Sequence, residues 1–233
     1  MSINVIAFNC SPNEDHGNTG KVLEPLLDGM KLQGANVELY YTHRMNIARC
    51  LGCTEDPTFV TTGKCKVVDD MKYIYPKMKN ADIWIFATPN YQKIINQSLI
   101  NLFDRLEPLF ESVTDFTNGT NLVSKDTRIG KILLLSTGND FDTVSFNKLI
   151  EHVESLAVLF NREYLGTITR PHAWILNGND YIPQVINGLF NSLSQAGKEI
   201  INTGKLSKKT LKEINKDLVN KKSFIASLLS EMD

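Results

Sequence analysis

Short apolar runs of strand length alternate along this chain with longer segments of helical period, and that alternation admits few folds. The runs are Ile3 to Phe8, Val37 to Tyr41, Ile83 to Ala87, Ile129 to Leu135 and, less sharply, Tyr164 to Ile168. Most are almost continuously apolar, as strands covered by helices on both faces must be. Between them Thr19 to Leu32 spaces Val22, Leu23, Leu26, Leu27 and Met30 on one helical face and stops at Gly34. Further helices are expected from Asp69-Asp70 with Pro76 inside, over Leu99 to Leu109, Val144 to Leu159 and Val185 to Ile201. The reading is an α/β fold, a doubly wound five-stranded parallel sheet with helices on both faces. After Gly204 a lysine-rich helix with Leu211, Ile214, Leu218, Ile225 and Leu228 on one face forms a C-terminal helical extension. The organisation expected is therefore a main domain over 1–204 and an extension over 205–233. The polar stretch Glu111 to Arg128 exceeds an ordinary connection and is either a lid or an ordered surface excursion.

With 233 residues the chain can bury a core without disulfides or a structural metal. Its formal charge of −1 offers no basic excess for nucleic acid or an anionic membrane, so neither is an expected partner. No apolar run reaches the roughly 18 residues that would span a bilayer. Met1 to Phe8 has neither a basic start nor an apolar stretch of secretory length, so a cytoplasmic location is expected. In that compartment the sequons at Asn96 and Asn118 are chance matches. Cys10, Cys50, Cys53 and Cys65 then point to free thiols, metal or redox chemistry rather than a disulfide framework.

The first strand runs directly into Asn9-Cys10-Ser11-Pro12-Asn13-Glu14-Asp15-His16-Gly17-Asn18-Thr19-Gly20 and then the first helix. Ligands of doubly wound sheets sit at the carboxyl ends of the strands, and a helix start offers free N–H groups and partial positive charge. Ser11, Asn13, Asn18 and Thr19 add neutral donors, so this loop is a candidate phosphate site. A Walker A loop would need Gly where Asp15 stands and Ser or Thr where Val22 stands, and GxGxxG is absent. The competing reading is that Ser11 and Asn18 only make a turn and cap the helix.

The third strand ends in Thr88-Pro89-Asn90-Tyr91, and the next helix carries Asn101-Leu102-Phe103-Asp104-Arg105. Together with Cys10-Ser11-Pro12-Asn13 and Gly17-Asn18-Thr19, these segments resemble the flavodoxin-like NAD(P)H-dependent FMN reductases, in particular relatives of the iron–sulfur flavoproteins and WrbA-type quinone reductases. Cys50-Leu51-Gly52-Cys53, Gly63-Lys64-Cys65 and Asp69-Asp70-Met71 look like that family's cysteine loop and the start of its second helix. The likeness covers residues 3 to 138 and thins beyond.

The resemblance implies a flavodoxin-like fold and bound FMN. Ser11, Asn18 and Thr19 would hold its phosphate, with Asn13 standing where many members have Arg and losing a charge-assisted contact. Thr88, Pro89, Asn90 and Tyr91 would run along the isoalloxazine. Ser136, Thr137, Gly138 and Asn139 would form the third flavin-contacting loop, where Gly138 permits close backbone approach. The family's compact cysteine motif is incomplete, because Asp56 stands at the third position. A cluster would need Cys10, Asp56 or another chain as ligand, and zinc would need His43. Free thiols in a remodelled loop are the expectation, with no metal site.

His16, His152 and His172 form no paired metal motif, and no GxSxG elbow is present. The function expected is FMN-dependent NAD(P)H oxidoreduction. NADH or NADPH is the co-substrate, and a small-molecule acceptor such as a quinone or flavin, or a redox protein, takes the electrons. No side chain is assigned a catalytic role, because the cofactor carries the chemistry. Two alternatives stay open: a flavodoxin-type electron carrier without NAD(P)H turnover, and a flavin-free binding module. The apolar face of the C-terminal helix suggests a homodimer or higher homo-oligomer.

Overall fold

The computed structural model describes residues 2–53, 64–91, 93–115, 119–124, 130–177 and 183–222, with the stretches 110–115 and 119–124 as backbone. Five parallel strands form the main sheet: β1 (Asn4–Asn9), β2 (Asn36–Tyr41), β3 (Ile83–Pro89), β6 (Lys131–Thr137) and β7 (Glu163–Arg170). Their spatial order, β2-β1-β3-β6-β7, is the flavodoxin-like winding with its switch between β1 and β3. Between β3 and β6 the chain inserts an antiparallel hairpin, β4 (Phe110–Asp115) and β5 (Gly119–Ser124), which pairs Phe110 with Ser124 and Asp115 with Gly119. The long polar stretch between Glu111 and Arg128 thus contains ordered structure.

Side-chain alternation assigns the two faces of the sheet. Val5, Ala7, Ile83, Ile85, Ala87, Leu133 and Leu135 point to one side, where they meet α1 (Asn18–Lys31) and α5 (Pro183–Thr203). Ile6, Phe8, Trp84, Phe86, Ile132 and Leu134 point to the other and meet α2 (Met71–Asn80), α3 (Gln97–Asp104) and α4 (Asn147–Leu159). On that second side Phe8 stacks on Phe86 at 5.9 Å, while Phe103 packs edge-on against Phe86 at 4.9 Å. The fully buried Phe8 and Phe86 each contribute about 1.5–3 kcal/mol of transfer free energy. On the first side α1 and α5 approach so closely that a Cβ on Gly29 would lie 2.0 Å from the Ser194 carbonyl oxygen, and one on Gly197 would lie 2.1 Å from that of Leu26.

The C-terminal segment differs from its expected form. Helix α6 (Lys208–Ile214) is short, capped by the Ser207 hydroxyl, which accepts from the Thr210 amide, and it stops at Asn215. Ile214 and Leu218 are buried in the same core cluster as Val5 and Val22, with Leu211 packed against it. The apolar face that suggested assembly is covered by the chain's own core over this span. Ile225 and Leu228 lie outside the described residues.

Candidate functional site

Four loops leave the carboxyl ends of β1, β3, β6 and β7, and backbone hydrogen bonds stitch them side by side. The Asn90 amide donates to the Thr137 carbonyl at 2.7 Å, that of Gly138 to Arg170 at 3.0 Å and that of Ala173 to Gly138 at 2.9 Å. They enclose a cleft of about 240 Å³. Its lining brings together Ser11, Asn13, Asn18, Thr19, Pro89, Asn90, Tyr91, Thr137, Gly138 and Asn139, all singled out from sequence. Thr88 and Ser136 do not line it: both are fully buried within the sheet, where the Ser136 hydroxyl donates to the Thr88 carbonyl at 2.9 Å and that of Thr88 to Pro89 at 3.2 Å. Sequence reasoning missed Ala173 and Asn177, which the β7 loop contributes. The rule that every carboxyl-edge loop borders the crevice was the available signal for them.

The phosphate-type loop is built by its own polar groups. The Asn9 side chain accepts from the Ser11 amide at 3.0 Å and donates to the Glu14 carbonyl at 3.0 Å, while the Ser11 hydroxyl accepts from the Asn13 amide at 3.3 Å. Helix α1 begins after Gly17 with no side chain capping it, so its first N–H groups stay available at the cleft. Ser11 therefore shapes the turn, but neither it nor Asn18 caps the helix. The hydroxyls of Thr19 and Thr137 share a buried hydrogen bond of 2.8 Å, which ties the helix start to the end of β6. At Gly138 the close approach is to the Phe146 ring, which a Cβ would meet at 2.9 Å.

The donor set fits FMN. One end of the cleft offers the uncapped helix start, the side-chain amides of Asn13 and Asn18 and the hydroxyls of Ser11 and Thr19, which suits an anion. At the wall formed by the β3 loop, Asn90 donates through Nδ2 to the Ser145 carbonyl at 3.0 Å, yet its Oδ1 is buried without a partner. An orphaned acceptor there suits a ligand that carries an N–H group. No carboxylate, imidazole, lysine or arginine is among the described residues lining the cleft. Such a wall can bind and orient a ligand, and Tyr91 is its one aromatic member among the described residues.

His172, on the loop after β7, is not among the residues lining the cleft. It adopts a left-handed backbone (φ 40°) and is fully buried. Its Nε2 accepts from the Leu218 amide at 3.2 Å and lies 3.0 Å from the Arg170 guanidinium. Burial, and then the Arg170 charge, pull its pKa down to about 4.

The cysteines are scattered in environment. Cys10 is completely buried in the core, and loss of hydration pushes its thiol up to about 12, which opposes the thiolate form that ligation needs. Cys50 is exposed, Cys53 and Cys65 are half-buried, and His43 is engaged with the Ser98 hydroxyl at 3.1 Å. Asp56 and Gly63 lie outside the described residues.

A family model described as NADPH-dependent FMN reductase matches residues 3–125. An iron–sulfur flavoprotein of Methanocaldococcus jannaschii is 31% identical over 105 residues, 45% of this chain and 52% of that protein. One of Archaeoglobus fulgidus is 31% identical over 101 residues, 43% of this chain and 47% of that protein, so the chain spans about half the length of the curated relatives it matches. The fold is similar to that of an FMN-dependent NADH-azoreductase from Bacillus anthracis solved in complex with FMN, with a TM-score of 0.62 and 11% identity, covering 86% of this chain and 100% of that one. The family model takes in more than half of the sequence, including the loops after β1 and β3 that form two walls of the cleft, and on that ground the chain belongs to the NADPH-dependent FMN reductase family.

Proposed function

We propose that the protein is an FMN-dependent oxidoreductase that takes electrons from NADH or NADPH and passes them to a small-molecule acceptor, such as a quinone or free flavin, or to a redox protein. The observation that carries this reading is a neutral polar cleft at the carboxyl edge of the sheet, with an uncapped helix start at one end and the orphaned Asn90 oxygen in its wall. Ser11, Asn13, Asn18 and Thr19 would hold the phosphate. Pro89 to Tyr91 and Thr137 to Asn139 would flank the ring. Bound FMN would supply the hydride and electron transfer.

The chain's own contribution is positional. The Thr19–Thr137 bond and the Asn90–Thr137 backbone bond hold the loops at fixed spacing, so a ligand pays little for ordering them. Thr88 and Ser136 act from behind, by fixing the strand ends that carry Asn90 and Gly138. A homodimer or higher homo-oligomer belongs to the same reading. Its support is the exposed pair Tyr91 and Ile94, 47% and 57% exposed beside the cleft, rather than the covered C-terminal face.

The test is the visible spectrum of the purified protein followed by steady-state oxidation of NADH and NADPH with a quinone acceptor. Flavin bands with turnover support the reading. Flavin bands without turnover indicate an electron carrier, and a colourless protein that does not take up FMN indicates a binding module.

A further inference from the structure

The cleft has no cation among its described lining residues, yet a lysine stands immediately behind it. Lys21, in the first turn of α1, donates from Nζ to the Leu176 carbonyl at 2.9 Å and to Oδ1 of Asn177. An ammonium group has donors only, so Asn177 must present its oxygen to Lys21. Its amide nitrogen is thereby directed the other way, where Nδ2 donates to Oδ1 of Asn18 at 2.5 Å. That bond commits the Asn18 oxygen in turn. What Asn18 has left for the cleft is its own NH₂ group. Three residues thus settle one another's orientation, beginning from the one member that cannot accept.

We propose that Lys21, Asn177 and Asn18 form a polarised relay that turns the Asn18 amide donors toward the FMN phosphate and supplies, through Asn177, the positive charge that the cleft lining lacks. The inference rests on the FMN reading above and assigns Lys21 and Asn177 as positioning residues. Hydrogen bonds linked in series polarise one another, and here the series starts from a full positive charge. The relay also joins α1 to the loop after β7, whose Ala173 and Asn177 line the same cleft. A bare tether between loop and helix would need none of this polarity.

Apo-protein is titrated with FMN and with riboflavin, which lacks the phosphate, for the wild type, Lys21→Met, Asn177→Leu and the double variant. A hydrogen bond to a charged group has a net worth that corresponds to about a tenfold change in affinity. Each single variant is expected to lose about that factor for FMN and nothing for riboflavin. The double variant is expected to lose no more than either single one, because the residues act as a unit. Raising the salt concentration should weaken FMN binding to the wild type more than to Lys21→Met. Unchanged FMN affinity in the variants, additive losses, or equal losses for both flavins would overturn the relay while leaving FMN binding in place. A wild type that binds FMN no better than riboflavin would overturn the phosphate placement, and the relay with it.

Discussion

The Arg105 guanidinium grips the Asp69 carboxylate through two hydrogen bonds, 2.5 and 3.0 Å long, with both side chains only 1% exposed. The same guanidinium donates to the Ala48 carbonyl at 2.7 Å and to the Cys65 sulfur at 3.7 Å, so one residue pins the chain on both sides of the cysteine loop. Burial raises the pKa of the Asp69 carboxyl, but Arg105 and the amides of Ala48 and Met71 outweigh it and hold the group below the usual carboxylate range. Removing one partner strands the other charge in the interior. Arg105→Met is therefore expected to cost about 3–5 kcal/mol in urea unfolding. It should also speed the reaction of Cys65 with a thiol reagent, and an unchanged labelling rate would show that Arg105 does not restrain the loop.

The parallel sheet was legible in the sequence because both of its faces are covered, which forces near-continuous apolar runs such as Ile83 to Ala87. Helix limits were less legible. Residues Leu99 to Leu109 read as one helix, yet α3 ends at Asp104 and a 3₁₀ turn at Glu107–Leu109 follows, since Pro108 cannot continue the α-helical hydrogen bonding. Asn96, dismissed as a chance sequon, caps α3 by accepting from the Ser98 amide at 2.7 Å and ties it to the Cys10 carbonyl at 3.1 Å. At the site, loops adjacent to a recognisable motif were found from sequence. Asn177 was not, because its role depends on Lys21 and Asn18, about 160 residues earlier in the chain, being brought to it by the fold. At the C-terminal face period alone cannot tell an apolar stripe that folds back from one that meets a second chain, and Ile214 and Leu218 fold back onto the chain's own core.

His172 predicts a pH dependence. Its pKa falls from 6.5 to about 4 on folding, so the folded state disfavours the imidazolium that the unfolded chain accepts more readily. The stability it contributes is complete above pH 6.5 and is lost as pH drops toward 4, by an amount on the order of 2–3 kcal/mol. Arg170 opposes protonation and Asp217 favours it, and burial dominates both. Urea midpoints measured from pH 7 to pH 4 should fall more steeply for the wild type than for His172→Gln. Parallel curves would show that another group titrates there.

Gly197 is expected to tolerate no side chain. A Cβ there meets the Leu26 carbonyl oxygen at 2.1 Å and the Met30 nitrogen at 2.9 Å, both backbone atoms that cannot swing aside. Gly197→Val must push α5 off α1, at a cost of about 3 kcal/mol or more from overpacking. Gly188, on the same helix with nothing near its notional Cβ, serves as control, and Gly188→Ala should stabilise slightly through helix propensity. Thermal unfolding of the two variants separates the steric effect from the helical one.

The final prediction concerns iron. The likeness to iron–sulfur flavoproteins raises the expectation of a cluster, and a [4Fe–4S] cluster held by one chain takes four thiolates. Cys50, Cys53 and Cys65 lie on the cysteine loop, but the fourth cysteine, Cys10, is sealed in the core, where burial pushes its thiol up to about 12 and disfavours the thiolate. Bringing Cys10 out would remove it from the buried cluster on the Phe8 side of the sheet and break the backbone bond from its amide to the Ala87 carbonyl at 2.8 Å. Cys65, in addition, is already engaged by Arg105. Protein purified without oxygen is therefore expected to carry flavin but far less than one cluster per chain in iron and acid-labile sulfide assays. Cys65→Ser should leave the flavin content unchanged. Stoichiometric iron that disappears in Cys65→Ser would establish a cluster completed by a ligand other than Cys10, and would mean that the Arg105 contact gives way when the cluster is assembled.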